Sequence, residues 1–182
     1  MQTPSSLQTP RPSLDAVRGL VEVSHSLADA FFSATHRTLQ ALLKDPSLLD
    51  GLPPADDGAF SRRLLCTDPV NRFGIWALTW PPGCRTPIHN HHCACAFGVY
   101  RGAIEETFYA TRSDSEAVVE SARFVRARGF IGGAPLESGM IHEMSNRGSE
   151  TAVSIHVYAY RPDLHEDSID RCFVPLRLTE EQ

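Results

Sequence analysis

From about Phe60 to Val174 the chain sustains no helical hydrophobic period; short runs of β-branched and aromatic residues alternate with turn-forming residues. The clearest runs are Gly74–Trp80, Ile88–Tyr100, Ala117–Val125 and Thr151–Tyr160. Pro81-Pro82-Gly83, Arg101-Gly102 and Gly132-Gly133 break them. Several short strands at this spacing predict a mainly β sandwich or small barrel rather than βαβ units.

Ahead of this region the texture is helical. Ser13 is an N-cap candidate, and apolar residues then recur at helical spacing in three stretches. The first holds Leu14, Val17, Leu20 and Val21; the second Leu27, Ala30, Phe31 and Ala34; the third Leu39, Leu42 and Leu43, before Asp45-Pro46. The expected organisation is a mobile tail over 1–13, helices over 14–52 packing on the barrel, and the β-barrel domain over 53–182. Pro53-Pro54 and Asp56-Asp57-Gly58 form a loop at the change.

Charge and composition narrow the function. The net charge is −5 and Arg62-Arg63 is a lone basic pair, which argues against nucleic acid and anionic membranes as partners. No apolar run approaches the ~18–20 residues of a membrane span, and Met1 to Ser13 lacks a signal-peptide layout. Five cysteines, an odd number without framework spacing, fit a reducing, cytoplasmic setting. Barrel edges allow self-pairing, so a monomer or weak homo-oligomer is expected.

The segment Gly83-Cys84-Arg85-Thr86-Pro87-Ile88-His89-Asn90-His91-His92-Cys93-Ala94-Cys95, closing at Gly102, carries the chemistry. On a strand His89, His91, Cys93 and Cys95 share a face. Two imidazoles at i and i+2 bind one metal if a third ligand arrives from elsewhere. His142, in Gly139-Met140-Ile141-His142 and followed by Asn146, offers it. Imidazole suits iron, zinc, copper or nickel, so the ligands do not name the metal. The bland alternative is that three of the eight histidines fall there by chance.

The spacing of Gly83, His89, His91, Cys95 and Gly102, with Gly139, His142 and Asn146, resembles the two-part motif of the cupin fold. The resemblance covers roughly Gly74 to Tyr160 and implies a small β-barrel of jelly-roll type. Most cupins supply a glutamate where this chain has Cys95, a replacement that resembles the cysteine dioxygenases. The ligands are then three neutral imidazoles. A metal so held keeps its full positive charge and favours an anionic substrate such as a thiolate.

Ser154, His156 and Tyr158 alternate with apolar Val153, Ile155, Val157 and Ala159. The polar row is either a solvated barrel face or a buried row needing partners. It resembles the triad that lies beside the iron of thiol dioxygenases, where serine holds histidine, histidine holds tyrosine, and the tyrosine hydroxyl reaches substrate or oxygen. No Gly-x-Ser-x-Gly elbow surrounds Ser154, so a hydrolase triad is not indicated. The resemblance further implies a thioether between Cys95 and Tyr158, the alternative being an unmodified buried thiol. It also implies Arg62 as the substrate carboxylate anchor, a guanidinium fork matching a carboxylate, with Arg63 facing outward. Phe60 departs from the tyrosine often found there. His92 faces away from the ligands, Cys66, Cys84 and Cys172 are expected to be structural, and Trp76 and Trp80 core.

The function so implied is Fe(II)-dependent dioxygenation of a small carboxylate thiol by O2, L-cysteine to cysteine sulfinate. The nearest rival is the same chemistry on 3-mercaptopropionate or mercaptosuccinate. More distant rivals are a zinc or nickel cupin hydrolase or isomerase and a non-catalytic ligand-binding cupin.

Overall fold

The computed structural model describes residues 14–50, 60–111, 117–135 and 138–176, with the side chains of the helix described from Leu27 onward. The tail expected over 1–13 and the Pro53-to-Gly58 loop lie outside the described residues. A single helix, α1 (Leu14–Leu42), replaces the three stretches read from the periodicity. The polar residues between those stretches are helix-compatible, and no proline separates them, so one helix runs through. It ends before Asp45-Pro46, where the residue preceding proline disfavours helical backbone. The Asp45 carboxylate then accepts the Ser47 N–H at 2.9 Å.

Ten strands follow among the described residues: β1 (Ser61–Thr67), β2 (Gly74–Trp80), β3 (Ile88–His91), β4 (Cys95–Arg101), β5 (Ala103–Thr111), β6 (Ala117–Ala127), β7 (Ile131–Ala134), β8 (Ile141–Ser145), β9 (Ala152–Tyr158) and β10 (Ile169–Pro175). One sheet has the order β1-β2-β9-β4-β7. The other, β10-β3-β8-β5-β6, closes on itself through a short parallel pairing of Val174 with Ala117 and Pro175 with Val118. Every other pairing is antiparallel.

The expected Ile88–Tyr100 strand is two strands. The chain leaves the closed sheet after His91, turns a corner, and enters the other sheet at Cys95. No glycine or proline marks this corner. Backbone bonds from His92 N–H to Ser168 O (3.2 Å) and from Ala159 N–H to Ala94 O (2.9 Å) hold it. The glycines flanking the histidines serve turns: Gly83 and Gly102 have φ of 80° and 72°, a region that costs other residues strain. A Cβ on Gly102 would also lie 3.0 Å from the Ala152 Cβ.

Alternation sets the layers. Leu78 and Trp80 of β2, Phe97 and Val99 of β4, Ile104 of β5 and Met144 of β8 pack together in the interior. On the outer side of β2, β4 and β9, Ala77, Ala96, Ile155 and Val157 pack with buried Leu39, and with Phe31, Leu42 and Leu43 of the helix and the turn after it. The helix thus covers one face of the sheet and turns the other face of β9, with Ser154, His156 and Tyr158, inward.

Candidate metal centre and its polar row

His89 and His91 stand on β3 and His142 on β8, with His89 and His142 paired directly across the ladder. One nitrogen from each lies within 4.8 Å of the other two. The remaining nitrogens are occupied. His89 Nδ1 lies 2.8 Å from Pro87 O, His91 Nδ1 3.1 Å from Ser168 O, and His142 Nδ1 3.1 Å from the Glu106 carboxylate. All three partners only accept, so each Nδ1 carries a proton, and Nε2 is the nitrogen each ring would offer to a metal. Burial, reinforced by neighbouring histidines, lowers His89 to about 4 and His91 to about 3, which keeps both neutral near pH 7.

This donor set fits a divalent transition metal. His91 Nε2 and His142 Nε2 lie 3.0 Å apart. Without protons their lone pairs confront each other, and a cation between them resolves the conflict. Two nitrogens each ~2.1 Å from one ion would be about 3–3.4 Å apart. The three histidines form a group that could hold a metal ion.

Across the interior, the polar row belongs to the other sheet. Ser154, His156 and Tyr158 are 0%, 2% and 5% exposed, which eliminates the solvated-face alternative. Ser154 Oγ lies 2.8 Å from His156 Nε2, and His156 Nδ1 lies 3.0 Å from the Tyr158 hydroxyl. Trp80, which sequence reading left as core, donates its Nε1–H to Ser154 Oγ at 2.8 Å. That contact orients the row. An indole N–H only donates, so Ser154 accepts from Trp80 and satisfies its own proton by donating to His156 Nε2. His156 then donates from Nδ1 to the Tyr158 oxygen, and the Tyr158 proton is left uncommitted to the row. Burial first, then the neighbouring histidines, hold His156 well below its ordinary value; burial likewise pushes Tyr158 well above its own. Both are neutral.

Cys95 pairs with Tyr158 in the β4–β9 register. It does not share a strand with His89 and His91, as simple alternation suggested; it reaches the interior from the facing sheet. His89, His91, Cys95, His142, His156 and Tyr158 line one narrow cavity of about 20 Å³. Burial pushes the Cys95 thiol well above its ordinary value and Cys93 up to about 12.

A wider cleft of about 170 Å³ opens beside the cluster, lined among others by Phe60, Arg62, Arg85, His89, Tyr158 and Ser168. The Arg62 guanidinium donates to Tyr160 Oη at 3.1 Å and Glu166 O at 3.3 Å. Its central carbon lies 4.7 Å from the centroid of the Trp76 ring. Arg63 is exposed. Arg85, unmarked in the sequence reading, lines the cleft from the turn before β3. His92 stays out of the cluster: its Nε2 bonds Asp167 O at 2.9 Å and its ring packs at a tilt against His165. Successive carbonyls of Glu166, Asp167 and Ser168 therefore hold Arg62, His92 and His91. Cys66 and Cys172 are exposed and Cys84 is half-buried, so none of these three is a packed core thiol. Asn146 organises a turn, donating to Trp80 O and Glu150 O at 2.7 and 2.8 Å.

Glu106 escaped the sequence reading. It is 3% exposed and bonds His142 through one oxygen and Arg126 Nε, at 2.9 Å, through the other. The signal was available in β5, where alternation places Glu106 on the same face as apolar Ile104 and Phe108.

Two facing sheets with three clustered histidines between them make the cupin fold. Solved structures similar to this chain include a cupin 2 conserved barrel domain protein from Salinispora arenicola (21% identity, 56% of this chain and 76% of that one, TM-score 0.43). Others are a conserved double-stranded β-helix protein from Klebsiella pneumoniae (19%, 62% and 82%, TM-score 0.49) and a cupin family protein from Methanocaldococcus jannaschii (16%, 60% and 88%, TM-score 0.45). The chain belongs to the cysteine dioxygenase type I family, whose family model matches residues 56–167. Among the described residues, no helix is long and apolar enough to cross a membrane.

Proposed function

We propose that this protein is an Fe(II)-dependent thiol dioxygenase that converts L-cysteine to cysteine sulfinate. The observation that carries the reading is the row of Ser154, His156 and Tyr158, neutral, buried and aimed at the three histidines, with Arg62 beside it. The reaction adds both atoms of O2 to sulfur. The thiol loses its proton, sulfur gives up four electrons, and O2 takes them. Iron(II), which His89, His91 and His142 would hold, would supply the positive charge and redox chemistry of the reaction.

The chain's own residues do the rest. Arg62 holds the substrate carboxylate in a bidentate fork, giving up its bonds to Tyr160 and Glu166 O. The uncommitted Tyr158 proton is donated toward the reacting atoms, while His156 fixes its oxygen from behind. The Nδ1 bonds of the three histidines keep Nε2 available. Cys95, opposite Tyr158, is placed for a thioether to its ring; that bond costs the thiol and the ring one hydrogen each, with O2 as the oxidant, and intact mass reads the loss.

One observation favours a second thiol. Arg85 shares the cleft with Arg62, which suits the two carboxylates of mercaptosuccinate better than the single one of 3-mercaptopropionate. The test is oxygen uptake by Fe(II)-loaded protein offered L-cysteine, 3-mercaptopropionate and mercaptosuccinate separately, with products weighed. One sulfinate per O2 consumed supports the reading, and the best thiol names the substrate. Iron retained with no uptake on any thiol overturns it and leaves the hydrolase or ligand-binding readings.

A further inference from the structure

Each ligand histidine needs an acceptor behind it. For His89 and His91 that acceptor is a backbone carbonyl, which has one chemical state. For His142 it is a side chain, and the side chain is shared. Glu106 Oε1 takes the His142 Nδ1 contact at 3.1 Å, and Oε2 accepts from Arg126 Nε at 2.9 Å. Arg126 is itself fixed in place. Its guanidinium carbon lies 4.6 Å from the centroid of Phe124 and 4.4 Å from that of Phe130, so its donors cannot readily turn away.

We infer that Glu106, clamped by Arg126, is a positioning residue that locks His142 in the tautomer a metal can use. It also places one carboxylate a single hydrogen bond behind a ligand set that otherwise has none. The inference rests on the reading of the three histidines as metal ligands. Its logic is a count of donors. Arg126 only donates, and His142 must donate from Nδ1 if Nε2 is to stay bare. Only a group that accepts at both ends satisfies both neighbours.

A glutamine accepts at one end alone. In Glu106→Gln, the amide oxygen goes to Arg126, which has no other state, and the amide NH2 faces His142 Nδ1. The ring then moves its proton to Nε2, the nitrogen the metal needs. Removing Arg126 as well frees the glutamine to turn its oxygen to His142 and restores the original tautomer.

The test is Co(II) affinity of metal-free protein, measured by competition against a chelator, for wild type, Glu106→Gln, Arg126→Leu, the double variant and His142→Ala. Glu106→Gln is expected to lose about 10–100-fold in affinity, the usual cost of removing such a partner. The double variant should return to within a few-fold of wild type, although it lacks one more ion-pair member. A merely structural role predicts the reverse, with the double variant the weaker. Glu106→Gln within twofold of wild type, or no recovery in the double variant, overturns the inference and leaves the metal reading intact. Wild type that binds no Co(II), or His142→Ala that binds as tightly, overturns both. Should Glu106→Gln fail to fold, the ¹⁵N spectrum of metal-free wild type decides: His142 protonated at Nδ1 supports the inference, and at Nε2 refutes it.

Discussion

Trp80 and Ser154 should prove energetically coupled beyond what their separate packing explains. Both are fully buried, at 0% exposure, and the 2.8 Å bond between them orients the row that ends at Tyr158. Ser154→Ala removes the donor to His156 Nε2, worth ~1 kcal/mol, and also strands the Trp80 N–H in a dry interior, which costs ~1–3 kcal/mol. In a Trp80→Phe background there is no N–H to strand, so the same serine change costs only the first contribution. The double-mutant cycle should therefore show a coupling of about 2 kcal/mol, with the cavity left by the smaller ring cancelling between its two arms. Urea unfolding of the four metal-free proteins at one pH measures it. A coupling below ~0.5 kcal/mol, the scatter of independent sites, would refute the proton direction assigned to the row. Turnover should agree with stability: Ser154→Ala frees His156 to change tautomer and slows the reaction more than Trp80→Phe, which leaves the serine proton on His156.

The metal-free protein should weaken in acid because of its ligands. Unfolded imidazoles titrate near 6.5, whereas burial holds His89 to about 4 and His91 to about 3. The unfolded chain therefore binds protons first as pH falls, so this stability is intact above pH 6.5 and is lost progressively below it. For His89 alone the loss approaches ~3 kcal/mol by pH 4, and His89→Gln should flatten the slope in pH-dependent unfolding. Thiol labelling of native protein at pH 8 should modify the exposed Cys66 and Cys172 quickly and Cys84 slowly, and should spare Cys93 and Cys95 until denaturant is added; rapid loss of the Cys95 thiol, read by peptide mass, would contradict its burial. Arg62→Met should raise KM for every carboxylate thiol by about tenfold or more, the scale of one charge-assisted hydrogen bond. Arg85→Met should raise it selectively for mercaptosuccinate, and an equal effect on cysteine would place Arg85 outside second-carboxylate recognition.

The sequence made the histidine cluster legible because its spacing is regular: His89 and His91 alternate on a strand, and the glycines beside them turn. Ser154, His156 and Tyr158 were legible because the apolar residues between them demanded a sheet with two unlike faces. Other features left weaker traces. The corner after His91 contains no proline or glycine, so the run to Tyr100 read as one strand. The helix read as three because polar gaps in a periodic pattern look like boundaries until nothing ends the helix there. Glu106 went unread beside Glu105, although alternation buries only the second of the pair. The carbonyls of Pro87, Glu166 and Ser168 carry no side-chain signature at all, and they fix three of the site's polar groups between them.

The division of the site between two sheets explains why so much of its control lies outside the motifs. The ligands stand on β3 and β8 of the closed sheet, held from behind by Pro87 O, Ser168 O and Glu106. The polar row, Cys95 and Arg62 stand on β9, β4 and β1 of the other sheet, where Trp80 of β2 sets the proton direction. A change within one sheet thus acts on metal affinity or on proton placement, but not directly on both. The exception is Ser168, in the segment between β9 and β10. Its carbonyl accepts from His91 Nδ1, and it lines the cleft that Arg62 and Tyr158 also line. In the proposed reaction, carboxylate capture would draw Arg62 away from the carbonyl of Glu166, two residues from Ser168. The carbonyls that hold Arg62 and His91 thus lie in one short stretch of chain that neither histidine motif contains.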